Sequence, residues 1–158
     1  MILTPQITRR FSEYLLALVT LLPLIQSAGT KNTLDSDIKM LSAVMTKFLS
    51  NLAVKLTSGY DQTIFLLNNY DIIITTLQQR SGQLTTEAES EFTDTYNAIV
   101  SRFVEFSLKK NCPLMIEFIS NYAPKPNTTE TRQKLKDTLI WFSQSWKSIL
   151  STTSTQIF

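Results

Sequence analysis

The sequence predicts an all-α fold, an elongated antiparallel bundle or rod of four to five helices, and three observations lead there. Only 3 glycines stand against 43% hydrophobic residues, which leaves few positions for the tight turns of a many-stranded sheet. Apolar residues fall alternately four and three apart at Leu34, Ile38, Leu41, Met45, Phe48 and Leu52, the heptad period of a helix that buries one narrow face. The alternation recurs nearer the C-terminus. A length of 158 residues suits one domain over 1–158, or part of a longer architecture, and is enough to enclose a core.

A first helix is expected from about Gln6 to Leu22, with Thr4 as a cap, Pro5 in the first turn and Pro23 and Gly29 beyond its end. The stripe that opens at Leu34 continues through Leu56, Tyr60, Ile64, Leu67 and Ile74, so one helix from about Leu34 to Arg80 is expected, roughly 70 Å long at the α-helical rise. Gly59 is its weak point, since an interior glycine costs about 1 kcal/mol and marks a place to kink or break. Ser81-Gly82 ends that segment. Thr85-Thr86-Glu87 restarts a helix with the face Phe92, Tyr96, Ile99, Phe103 and Phe106. A short helix follows from Pro113 to Tyr122, then a loop at Pro124-Lys125-Pro126-Asn127. The last helix enters near Thr128 or Thr129, carries Leu135, Leu139, Phe142, Trp146 and Ile149 on one face, and runs nearly to Phe158.

Composition argues against several kinds of function. The net charge is +2, from 15 basic and 13 acidic residues that form no basic run, which gives no footprint for nucleic acid. Cys112 is the lone cysteine and there is no histidine, so neither an internal disulfide nor a Cys/His zinc site can be assembled, and the cytosol suits the chain. No glycine-rich phosphate loop occurs, and no local pattern brings a cysteine or serine nucleophile together with a lysine or carboxylate acting as its base. The expectation is a protein without enzymatic activity, cofactor or metal. A rival reading takes Arg9-Arg10, the apolar run up to Leu22 and Gln26-Ser27-Ala28-Gly29 as a signal peptide cleaved near Ala28. It would make the chain a secreted helical protein, glycosylated at the Asn127-Thr128-Thr129 sequon. The run is too short for a transmembrane helix.

Two places invite a binding role. Leu67-Asn68-Asn69-Tyr70-Asp71 puts three poor helix formers inside an apolar helix. One asparagine can be exposed while the other sets packing register through a buried hydrogen bond, or Asn68, Asn69, Tyr70 and Asp71 can belong to a partner-binding face. Trp141 and Trp146 are five apart and cannot share one helix face closely, so the more exposed of them is a candidate anchor. Trp146 fits the apolar stripe and Trp141 does not.

Four segments, in order, carry a family resemblance: Arg9-Arg10-Phe11-Ser12-Glu13-Tyr14, Ile64-Phe65-Leu66-Leu67-Asn68-Asn69-Tyr70-Asp71, Phe103-Val104-Glu105 and Ser145-Trp146-Lys147-Ser148. They resemble the C-terminal part of the vacuolar protein sorting-associated protein 52 family over nearly the whole chain from about Thr8. The resemblance implies a helical rod of the tethering-complex type, the C-terminal portion of a longer subunit of the GARP and EARP complexes. It also implies action in endosome-to-Golgi retrograde transport, cytosolic and peripheral at the trans-Golgi network and endosomes. The implied partners are sister tethering subunits, SNARE proteins and Rab GTPases, and the family has no catalytic residues to transfer.

Overall fold

The computed structural model describes residues 4–27, 33–78, 87–124 and 128–154. Among these the chain is all-α, with six helices: α1 (Thr4–Ser27), α2 (Thr33–Ala53), α3 (Gly59–Gln78), α4 (Glu87–Asn111), α5 (Pro113–Asn121) and α6 (Thr129–Ser154). Packing divides the chain into two compact units, 1–101 and 102–158, where the sequence reading has one domain. None of the described helices is long and apolar enough to cross a membrane. The expected joints at 81–82 and 125–127, the Asn127 sequon and the Ala28-Gly29 cleavage point lie outside the described residues.

In the first unit α1 packs on α3, and α2 packs on both. α1 is longer than its sequence signals suggest. It runs through Pro23, which has no N–H to give the Val19 carbonyl; the exposed side of the helix tolerates that missing bond because water can reach the freed carbonyl. The buried side of α1 is Thr4, Thr8, Ser12, Leu15 and Leu16. The Thr8 and Ser12 hydroxyls have partners: Thr8 Oγ1 lies 3.0 Å from the Thr4 carbonyl, and Ser12 Oγ donates to the Thr8 carbonyl at 2.8 Å. Small polar residues of this kind let two helices approach closely. Cleavage near Ala28 would strip this face from α3, so the secreted-protein reading is the less favoured.

The single helix expected from Leu34 to Arg80 is instead two, separated at 54–58. Thr57-Ser58-Gly59 places three weak helix formers in a row, and the ends on either side are closed by local bonds. Lys55 N–H donates to the Leu52 carbonyl and Leu56 N–H to the Ala53 carbonyl, at 3.1 and 2.9 Å, the tightened three-residue turn common at helix C-termini. Ser58 then caps α3: its Oγ accepts the Asp61 N–H at 3.0 Å and donates to Asp61 Oδ2 at 2.7 Å. A serine followed three residues later by an acid is an N-terminal signature, and it outranks the apolar spacing that runs across it.

Burial on α2 is also rotated from the expected stripe. Ile38, Ser42, Met45, Leu49 and Ala53 are buried, while Phe48 is 37% exposed and Met40 and Val44 lie open on the same side as Phe48. Ser42 and Ala53 are small, so their side admits neighbouring helices more closely than the Phe48 side does. The face expected on α4 holds: Phe92, Ile99 and Phe103 are buried, with Tyr96 and Phe106 half-buried.

In the second unit α5 begins at Pro113, with Cys112 as an N-cap that makes no side-chain bond. Thr128 caps α6 by accepting the Thr131 N–H at 3.1 Å. α5 packs on α6, and Asn111 Nδ2 ties the end of α4 to Thr153 Oγ1 at 3.2 Å. The apolar stripe expected to be buried along α6 is not: Leu135, Leu139 and Trp146 are exposed, and only Phe142 and Ile149 of that set are half-covered. The half-buried line is Thr138, Phe142, Ser145 and Ile149 instead, because α5 is short and covers one flank of a much longer helix.

Candidate functional site

The four consecutive residues Asn68 to Asp71 occupy one turn of α3 and therefore point four ways. Asn68 is exposed. Asn69 is 3% exposed; its Oδ1 accepts from Thr8 Oγ1 at 2.6 Å and its Nδ2 donates to the Phe65 carbonyl at 2.8 Å. Both ends of the amide are thereby paired inside the α1/α3 interface, which removes the penalty a buried amide would otherwise carry. Tyr70 is fully enclosed, its ring edge-on to Phe92 at 6.0 Å and its hydroxyl 3.3 Å from Thr46 Oγ1 on α2. Phe92 meets Phe11 in the same edge-on manner at 6.4 Å, so α4 is keyed to α1 and α3 by one aromatic cluster. Burial raises the Tyr70 pKa above its usual 10.0, against a smaller opposing effect of the Thr46 bond.

Asp71 is exposed and accepts a hydrogen bond from Tyr96 of α4. The Tyr96 pKa is raised, first by burial and then by the Asp71 charge and hydrogen bond. Asp71 also borders a cleft of about 630 Å³ between α1 and α3, with Arg9, Glu13, Leu16, Ile72, Thr75 and Thr76. The sequence reading did not single out Arg9, Glu13 or Thr8 as site residues. Thr8 could have been found, since Thr4, Thr8 and Ser12 repeat at four-residue spacing on a helix that is otherwise apolar on that side.

The tryptophans lie elsewhere, on α6 in the second unit. Trp141 is half-buried and Trp146 is 44% exposed, with Lys147 Nζ 5.6 Å from the Trp146 ring centre, a cation–π distance. The six candidate residues therefore do not form one site: Asn69 and Tyr70 are interior, Asn68 and Asp71 are superficial, and the tryptophans belong to another unit. Among the described residues no group of three or more Cys, Asp or Glu is placed to hold a metal ion. Cys112 is buried.

The family model described as Vps52, C-terminal, matches residues 3–104, more than half of the chain. The chain belongs to this family. Among curated relatives, the vacuolar protein sorting-associated protein 52 homologs of Homo sapiens and Canis lupus familiaris are 27% and 26% identical over 159 aligned residues, covering 96% of this chain and 21% of each relative. The Rattus norvegicus homolog is 30% identical over 113 residues, covering 72% of this chain and 15% of the relative. The chain thus spans about a fifth of the length of the human and canine relatives it matches. No solved structure matches it. The Vps52 match takes in all of α1, α2 and α3, including Thr8, Asn69 and Tyr70.

Proposed function

We propose that the chain is a non-catalytic helical scaffold in a vesicle-tethering assembly of the GARP/EARP type, acting in endosome-to-Golgi retrograde transport. Membership of the Vps52 C-terminal family is the observation that carries this reading. The described helices add to it, because they leave apolar positions uncovered on α1, α2 and α6, and such positions serve contact with other proteins. Partners are sister tethering subunits, SNARE proteins and a Rab GTPase, and the chain reaches trans-Golgi and endosomal membranes through them from the cytosol. Asn69 sets the α1/α3 register, Asn68 and Asp71 offer polar contacts, and Trp146 is an anchor. The two units act as one functional domain over 1–158. Contacts of this sort are individually modest and gain strength from multivalency.

Purification of the tagged chain from its own cells, with mass spectrometry of what accompanies it, tests the reading. Tethering subunits together with a SNARE or a Rab are expected. A chain that returns none of them, or one cut near Ala28, would overturn it.

A further inference from the structure

Viewed down its axis, α6 has two apolar sides. One is the half-buried line of Thr138, Phe142, Ser145 and Ile149, where the α5 residues Met115, Phe118 and Ile119 lie close. The other carries Leu135, Leu139, Ile140, Trp146 and Leu150, all exposed, and adjoins the first, since Leu135 and Leu139 also line the hollow against those α5 residues. Arg132 and Lys136 line an open hollow of about 380 Å³ on this second side with Leu135, Leu139 and Ile140, and Lys147 stands over Trp146 farther along it. The carboxylates of α6 are Glu130 and Asp137, and the helical period puts both away from Leu135, Leu139 and Trp146, with Asp137 next to Ile140 at the border. Asp137 is engaged there by Gln133 Nε2 at 2.8 Å. Among the described residues of α6, the charges nearest Leu135, Leu139 and Trp146 are therefore cations.

We propose that this side of α6 is a docking site for an amphipathic helix of a partner protein that carries carboxylates among its apolar positions. Charge complementarity selects that occupant. A second copy of the chain would bring Arg132, Lys136 and Lys147 against an identical set, and like charges juxtaposed in an interface are unfavourable. A bilayer would take an unbroken apolar face with cations at its borders, whereas Arg132 lies in angular line with Leu139 and Leu150, and Ser143 beside them. A helix meets those positions with its own side chains, pairing carboxylates with the cations while its apolar residues cover Leu135, Leu139 and Trp146. The wider unit agrees in sign, with eight basic and four acidic residues between 102 and 158. The inference rests on the reading of the chain as a helix-docking scaffold and specifies one of its surfaces.

The test uses the purified full chain with Trp141→Phe, so that Trp146 alone reports by its fluorescence. Three probes are titrated: a three-heptad helical peptide with leucine at its core positions and glutamate beside them, the same peptide with lysine in place of glutamate, and phosphatidylcholine vesicles containing about one-third phosphatidylserine. The acidic peptide should blue-shift Trp146 saturably, and Leu139→Asp or Lys136→Glu should weaken it at least about tenfold. Lys136 is exposed and lies outside the α5 hollow, so Lys136→Glu should leave circular dichroism and the melting temperature unchanged. Equal affinity for the acidic and basic peptides, a response to vesicles alone, self-association abolished by Leu139→Asp, or no response to any probe each overturns the proposal. Binding of the acidic peptide by a chain that co-purifies with no tethering subunit would reject the tethering role and keep this surface.

Discussion

Thr8 Oγ1 donates to Asn69 Oδ1 at 2.6 Å across 61 residues of sequence, and this one bond joins α1 to α3 in the interior of the first unit. The Thr8 hydroxyl has a single proton and a second acceptor in range, the Thr4 carbonyl at 3.0 Å, so the threonine keeps a partner if Asn69 is lost. Asn69 has no such reserve at Oδ1. Thr8→Ala should therefore cost about 1–3 kcal/mol by leaving that oxygen buried and unpaired. In chemical denaturation, Thr8→Val combined with Asn69→Leu should be milder than the sum of the single changes, since both polar partners are then gone. Simple additivity of the two would show that the bond does not couple the helices.

Phe92 should be the costliest truncation in the first unit. It is buried between the Phe11 and Tyr70 rings, and Phe92→Ala should remove about 3–5 kcal/mol. Tyr70→Phe, which loses only a 3.3 Å bond to Thr46 and keeps the ring contact, should cost about 0.5–1.5 kcal/mol. Thermal or urea unfolding distinguishes the two.

Tyr70 and Tyr96 should ionise late. Their folded pKa values are raised, so the folded chain holds these protons more tightly than the unfolded one. The resulting stability is complete below the ordinary phenol value of 10.0 and is lost as pH rises through the folded values. Tyrosinate absorbance should accordingly lag in the native chain and recover its normal midpoint in denaturant. Asp71→Asn should bring Tyr96 down, because the Asp71 charge is one cause of its rise.

The break between α2 and α3 predicts a capping effect. Ser58→Ala removes both bonds to Asp61 and should lower stability by about 1 kcal/mol. Ser58→Asn should restore most of it, since asparagine caps equally well and puts no second charge against the Asp61 carboxylate. If the alanine variant unfolds at the same denaturant concentration as the parent, Ser58 is not an energetic stop.

Cys112 is 4% exposed, so a thiol reagent should modify the native chain slowly and the denatured chain at once. Rapid labelling of the native chain would mean that the joint between α4 and α5 opens readily.

Much of the helical plan was legible in the residues: Pro113 at a helix start, Thr128 as a cap, and the buried Phe92, Ile99 and Phe103 on α4. These signals are local, as capping and proline geometry act within one turn of the chain. The Ser58-Asp61 pair is equally local but lies beneath an apolar spacing that continues across it through Leu56, Tyr60 and Ile64. Pro23 misled in the other direction, because a proline removes one hydrogen bond without obliging a helix to end.

By itself the sequence determined that the chain is helical, where most helices start and stop, and that α2 and α6 have apolar stripes to bury. Only tertiary packing decided which stripe was covered: Ser42 and Leu49 turned inward while Phe48 stayed open, and Phe142 was screened while Leu139 and Trp146 were not. Packing also separated Asn69, locked to Thr8, from its neighbour Asn68 in solvent. Periodicity records that a helix has an apolar side. Which side is buried depends on where other helices lie, and for α1 and α3 that position is decided by residues 61 apart.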